Sequence, residues 1–526
     1  MLGHTATRYA PHGMVTSVDH LASQAGVSIL RDGGSAADAA VAASAVLAVT
    51  SPHLCGMGGD LFALVHIGPD SAPDALNASG RAGSGADPEE LRIEGNTEMP
   101  FRGDLRSAPV PGCVDGWLAL HERHGRLPID RVLAAAITYS AAGFPASPLL
   151  AAAQALLVGV PGAEQLLMTR RPLQAGDLVR RPGVADALEA IITKGRAGFY
   201  EGAFGDGLLR LGSGEYAAAD LRRPLADWVE PLAATAWDYV IWTIPPNSQG
   251  YLTLLGAAIA EGLPLPADPA DPAWAHLLVE AARAAGYDRP AVLHEGADVA
   301  PLLDRDEVER RRALVDPERR TDFPTGTAGG GTMHLCATDV DGMAVSLIQS
   351  NASGFGSHVF EPATGIGIHN RGLGFSLEPG HPAEYGPGRR PPHTLSPAIV
   401  TRADGSLKAV VGTMGGDSQP QILLQVLCRF LHHEASVGAA IGAPRWVLGS
   451  TTGFDTWTNP KGVRVRVEGF APGGWADGLR TRGHTVEVAG DGDIAGFGHA
   501  HLIAATEAGW AGAADPRALV GAAAGY

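Results

Sequence analysis

Gly329-Gly330-Gly331-Thr332-Met333-His334-Leu335-Cys336-Ala337-Thr338-Asp339-Val340-Asp341-Gly342-Met343-Ala344-Val345-Ser346-Leu347-Ile348-Gln349-Ser350 is the stretch on which the reading of this chain turns. Two apolar, β-prone runs, Thr332 to Thr338 and Met343 to Ser350, flank a turn-like Asp-Val-Asp-Gly, so the segment predicts an antiparallel hairpin. Pairing Thr338 with Met343 would put Thr332 opposite Gln349, with Ser350 diagonally beside the Thr332 nitrogen. The three glycines place no side chain against the Gly331–Thr332 bond. A threonine freed at a chain end there would carry its own base, because an α-amino group with a pKa of about 8 can take the hydroxyl proton at neutral pH. On pattern alone, a mid-chain threonine in a strand is ordinarily just a β-former, and that reading stands beside the chemical one.

Working outward, residues 321–331 are Gly/Thr-rich without a period, and they follow a charged run from Asp304 to Arg320. Together these predict the clearest linker in the chain. Before it, residues 110–300 read as mostly helical, with apolar i, i+3, i+4 spacing in Val114–His124, Pro128–Ala142, Val184–Lys194 and Trp274–Ala285. Nearer the start, Ser35 predicts an N-cap for a small-residue helix from Ala36 to Val49, and Gly56-Met57-Gly58-Gly59 a tight turn into a strand from Leu61 to His66. After the hairpin come a Gly/Pro-rich loop over 371–393 and a strand over Ala409–Gly412. That strand enters Gly415-Gly416 ahead of a helix from Pro420 to Leu431.

Such a diglycine turn at a helix start can present backbone N–H groups to an oxyanion, although an ordinary tight turn fits the same pattern. A Walker loop is excluded because no Gly-Lys-Ser/Thr follows, and no Gly-x-Ser-x-Gly elbow is present. His432-His433 is adjacent on a helix, so its rings diverge, and the strand pair His499-x-His501 lacks a third ligand at clear spacing, so no metal site is expected. The sequence gives no sign of a cofactor.

The 526 residues are 45% hydrophobic, enough for a large core, and carry a formal charge of −17 with no basic block. That balance speaks against nucleic-acid and anionic-membrane partners. Four scattered cysteines suggest neither a zinc ribbon nor a disulfide framework. With no signal-like N-terminus and no apolar run of membrane-spanning length, a cytoplasmic protein is expected.

The ordered motifs resemble those of the γ-glutamyltransferase family, a group of N-terminal-nucleophile hydrolases. They run from Gly33-Gly34-Ser35-Ala36-Ala37-Asp38 through Gly56-Met57-Gly58-Gly59-Asp60, Val110-Pro111-Gly112, Thr332-x-His334, Asp341-Gly342 and Arg390-Pro391 to Gly412-Thr413-x-Gly415-Gly416. The resemblance covers nearly the whole chain. It implies an αββα sandwich of two stacked, mainly antiparallel sheets. It also implies self-cleavage between Gly331 and Thr332 into a large subunit (1–331) and a small one (332–526). These would stay associated as one intertwined catalytic domain, and a dimer of such units is compatible with it. Thr332 is then nucleophile and base, Gly415 and Gly416 hold the oxyanion, and Ser350 supports the nucleophile.

The departures from the family pattern bear on the substrate. Where the family has an Asn-Asn-Gln stretch and then an acid that holds a substrate ammonium, this chain reads His369-Asn370-Arg371-Gly372-Leu373-Gly374. Gly374 replaces the acid, and Arg371 stands where glutamine is usual. His393-Thr394 aligns with the paired serines of the carboxylate site, Asn351 adjoins the expected asparagine position, and Arg81 is nearest to the displaced clamp arginine. Loss of the acid removes a charge-assisted hydrogen bond of roughly 1.5–3 kcal/mol to a glutamyl ammonium. The pattern looks like the divergent branch with oxamate amidohydrolase-like and cephalosporin-acylase-like members. It implies a small carboxylate-bearing substrate in a pocket lined by Arg81, Asn351, Arg371, His393 and Thr394. Other readings are a true γ-glutamyltransferase or glutathione hydrolase, a hydrolase of a C–C bond in secondary metabolism, and an unprocessed scaffold.

Overall fold

The computed structural model describes residues 5–168, 171–323, 331–449, 456–457, 463–490 and 493–526, with the side chains of 331, 332 and 495 excepted. The rest of the expected linker, including Gly329 and Gly330, lies outside these. Among the described residues two seven-stranded sheets dominate. Their strands in chain order are β1 (Arg8–Ala10), β2 (Met14–Ser17), β3 (Asp60–His66), β4 (Asp74–Ala78), β5 (Asp227–Val229), β6 (Leu232–Ala236) and β7 (Tyr239–Thr243). The remainder are β8 (Gly331–Thr338), β9 (Ala344–Ala352), β10 (Ala398–Thr401), β11 (Leu407–Thr413), β12 (Ala500–Thr506), β13 (Gly509–Ala514) and β14 (Ala522–Gly525). One sheet has the order β14-β2-β8-β9-β3-β4-β5 and the other β1-β13-β12-β11-β10-β7-β6. Every neighbouring pair in both is antiparallel.

Side-chain alternation shows how the layers stack. Along β3, Leu61, Ala63 and Val65 join the core beneath helices α1 (His20–Arg31) and α2 (Ala36–Thr50). Phe62 and Leu64 face the other way, into the core between the sheets with Cys336, Ile348, Val410 and Ile503. Along β11, Ala409 and Val411 pack under α3 (Tyr251–Glu261), α4 (Pro272–Gly286) and α5 (Gln419–Leu427), while Val410 faces between the sheets. The order is therefore helix, sheet, sheet, helix. With both faces of each sheet covered, the inner strands read as continuous apolar runs.

Helix α2 is buried along its whole length. Its many alanines let it pack on all sides, with Val41, Val46, Leu47 and Val49 filling the larger gaps. The expected Ser35 N-cap forms, and Asp38 extends it into a capping box; the Asp339 carboxylate of the β8–β9 turn accepts the Ala36 N–H at 2.9 Å. The hairpin and the helix start are thus tied together.

Two expectations are corrected. Residues 227–243, inside the stretch read as mostly helical, form β5, β6 and β7, and Tyr239-Val240-Ile241-Trp242-Thr243 is β-branched and aromatic as a strand requires. The charged run contains a helix, Arg305–Arg312, so it is not bare linker. Its Arg311 is buried, binding Asp288 and the Ala284 carbonyl, with an i, i+4 pair to Glu307. No helix among the described residues is long and apolar enough to cross a membrane.

Candidate active site

The β8–β9 ladder runs from Thr338↔Ala344 to Met333↔Gln349, then shifts so that Gly331 faces Ala352. The backbone of Thr332 therefore stands against two residues, Ser350 and Asn351, as at a β-bulge. The expected register, Thr338 with Met343, is off by one. The Asp339 carboxylate accepts the Asp341 and Met343 N–H groups, both at 3.0 Å, and draws Met343 into the turn. This correction moves Ser350 from a diagonal position to one across the ladder from Thr332. Gly59 permits the close seating of this end, because a Cβ there would meet the Ser350 carbonyl at 2.3 Å.

The Ser350 hydroxyl accepts from the Ala352 N–H (2.8 Å) and from Arg371 Nη2 (2.9 Å). The other arm of Arg371, Nη1, donates to Thr394 Oγ1 at 3.0 Å. Ser350, Arg371 and Thr394 are all buried. Burial lowers the Arg371 pKa to about 10 while the Asp60 and Asp417 carboxylates oppose the drop, so the guanidinium stays cationic at neutral pH. His393 stands beside this corner, with its Nε2 donating to Asp60 Oδ2 at 3.0 Å and its Nδ1 accepting the Leu395 N–H at 3.3 Å. Burial first, then Arg371, brings its pKa down to about 3, leaving a neutral ring.

Asp60 is the hub of this layer. Oδ1 accepts from the Gly80 (2.8 Å) and Gly112 (3.3 Å) N–H groups, and His369 Nδ1 lies 3.5 Å from Oδ2. Burial works against its charge, but His369, His393 and Arg371 outweigh it and hold the pKa at about 2. Asp60 went unassigned in the sequence reading, which used it only as the end of a glycine motif. Its sole signal is a carboxylate heading an otherwise apolar strand.

On the facing sheet, β11 ends at Thr413 and the chain turns through Gly415 (φ 140°) and Gly416 (φ 58°), both in the region that favours glycine. No acceptor among the described residues takes the N–H of either glycine. The turn is braced by Gln249, whose Nε2 donates to the Gly416 carbonyl (3.0 Å) and to the Thr394 carbonyl (3.1 Å). Arg289 Nε donates to Gln249 Oε1 (3.0 Å), and Arg289 Nη2 lies 3.3 Å from Asp417 Oδ1. Neither Gln249 nor Arg289 was singled out from the sequence, since only the fold brings them here.

The remaining candidates are placed apart from this corner. Arg81 pairs with Glu295 at 2.6 Å and donates to the Gly388 carbonyl, and its other arm lies 3.8 Å from Asp227. No hydrogen bond or ion pair among the described residues joins it to Arg371 or Thr394. Asn351 adjoins Ser350, but its Nδ2 donates to the Pro52 carbonyl at 3.1 Å, and its side chain lines a small cavity with Cys55 and Arg181. His499 lies next to the glycine turn in sheet order, its carbonyl accepting the Met414 N–H, and His501 stacks on His334 at 6.0 Å.

Two stacked antiparallel sheets between helical layers are the architecture of the N-terminal-nucleophile hydrolases, and the chain is an enzyme of that class. More narrowly, it belongs to the gamma-glutamyltranspeptidase family, whose model matches residues 22–526. It is 37% identical to the oxamate amidohydrolase proenzyme of Klebsiella pneumoniae, over 99% of this chain and 100% of that one. It is also 37% identical to the glutathione hydrolase-like YwrD proenzyme of Bacillus subtilis, covering 96% and 97%. Among solved structures, the cephalosporin acylase of Bacillus halodurans superposes with a TM-score of 0.89 at 32% identity, over 99% of this chain and 97% of the other.

Proposed function

We propose that this enzyme cuts itself at Gly331–Thr332 and then hydrolyses the amide of a small carboxylate-bearing molecule through a Thr332 acyl-enzyme. The observation that carries the reading is the buried Ser350–Arg371–Thr394 corner across the ladder from the Thr332 backbone. Its fixed cation suits a carboxylate, since a guanidinium can bind one with two parallel hydrogen bonds. Among the described residues no spare carboxylate meets a glutamyl ammonium there: Asp60 is bound by His393 and two backbone amides, and Asp417 pairs with Arg289. The name of the Klebsiella pneumoniae relative, an oxamate amidohydrolase, agrees with this preference.

In the first step the Thr332 hydroxyl adds to the Gly331 carbonyl, the C–N bond breaks, and water hydrolyses the resulting ester. The freed α-amine is then the base. It takes the hydroxyl proton as Oγ1 attacks the substrate carbonyl, and the Gly415 and Gly416 N–H groups receive the oxyanion. Collapse expels the amine, which leaves with the proton held by the α-ammonium. Water, deprotonated by the same amine, adds to the ester, and the acid departs.

The test is intact mass with ammonia release from short dicarboxylic monoamides, beside Thr332→Ala. Fragments meeting at 331/332 and amide turnover in the wild type alone are expected. An uncut wild-type chain refutes the reading, and turnover of a γ-glutamyl anilide above the monoamides refutes the specificity.

A further inference from the structure

We infer that Gln249 is a positioning residue that fixes the separation between the Arg371–Thr394 corner and the Gly415-Gly416 turn, so that the site selects amides by the number of carbons between carboxylate and scissile carbonyl. This rests on the function proposed above.

The Gln249 side chain is fully buried and its amide is fully used. One nitrogen donates to the Thr394 and Gly416 carbonyls at 3.1 and 3.0 Å, which keeps those two oxygens within about 6 Å of each other. The orientation of the amide is locked, because Arg289 Nε donates to its oxygen. A flipped amide would face two carbonyls with an oxygen and a guanidinium with an NH2. Arg289 also reaches Asp417, the residue after Gly416, so Gln249, Gly416, Asp417 and Arg289 close a ring of contacts.

The main chain repeats the tie. The Gln249 N–H donates to the His393 carbonyl (2.9 Å) and the His393 N–H to the Asn247 carbonyl (2.7 Å). Thr394 in turn receives Arg371. The cation that would bind the substrate carboxylate and the amides that would bind its oxyanion are therefore mounted on one side chain from a third loop. A substrate engages both only if its own length matches their spacing.

The experiment compares ammonia release from oxamate, with two carbons, and succinamate, with four, by the self-cleaved wild type, Gln249→Ala and Gln249→Glu. Glutamate keeps the shape and the Arg289 contact but cannot donate to the two carbonyls. The wild type is expected to favour one length by about tenfold or more in kcat/KM. In both variants that ratio shrinks toward one, the chain still folds and cuts itself with a lowered thermal midpoint as buried polar groups lose their partners, and most of the loss falls in kcat. A uniform loss that keeps the wild-type ratio overturns the inference and leaves the function standing. Misfolding of both variants makes Gln249 a packing residue and overturns it too. Failure of the wild type on both amides overturns the function and the inference together.

Discussion

Arg371 is a cation with almost no access to water, held by two hydroxyls and by the field of Asp60 and Asp417. Burying a guanidinium is costly unless its geometry is used, which fits a residue kept for recognition. Replacing Arg371 with alanine is expected to lower kcat/KM on a carboxylate-bearing amide at least about 100-fold, mostly through KM, since removing one partner of a buried charge pair costs roughly 2–5 kcal/mol. Arg371→Lys keeps the charge without the fork and should recover only part of this. Steady-state kinetics on one monoamide decide it; an unchanged KM in Arg371→Ala would assign the carboxylate to another group.

At the scale of elements, one carboxylate makes three hydrogen bonds that serve two elements. Asp339 shapes the β8–β9 turn through two amides and caps α2 at Ala36. Asp339→Ala should lower unfolding stability by about 1–2 kcal/mol, as loss of a helix cap does, and should also slow chain cleavage, because the same turn sets the register that brings Ser350 across from Thr332. Urea unfolding and a time course of cleavage read the two effects. Wild-type cleavage in a destabilised variant would separate the turn from the register.

That turn also marks how far the sequence could be read. The hairpin, the α2 N-cap and the diglycine turn are local, and each shows in a few adjacent residues. The one-residue register error came from a side-chain cap that no period reveals. Strands β5 to β7 were hidden among helices because they are short. Asp60, Gln249 and Arg289 acquire their positions from partners many residues away, so their types alone carried no signal.

Across the whole molecule, buried neutral histidines recur. Burial is the leading cause in bringing His53, His393, His484 and His501 down to about 3 and His499 to about 4. An unfolded chain binds protons on these rings near pH 6.5, while the folded one binds them only near 3 to 4. Their contribution is complete above about 6.5 and is lost as pH falls toward those folded values. Each such ring gives up about 2 kcal/mol between pH 7 and pH 5, against a total stability of roughly 5–15 kcal/mol. Urea midpoints should therefore drop steeply between pH 6.5 and pH 5, before Asp60, held at about 2, begins to titrate. A flat midpoint across that range would show that these rings are not neutral and buried in solution.

The strand order has a further consequence. In one sheet β8 and β9 lie between β2 and β3, and in the other β1 and β7 flank a block of strands from beyond residue 397. Cutting the Gly331–Thr332 bond, as proposed above, would leave neither fragment with a complete sheet. Folding, a first-order event for the uncut chain, would become a second-order encounter between two fragments after such a cut. The information to fold would then reside in a precursor that no longer exists, and a denatured molecule could return only by finding its complement.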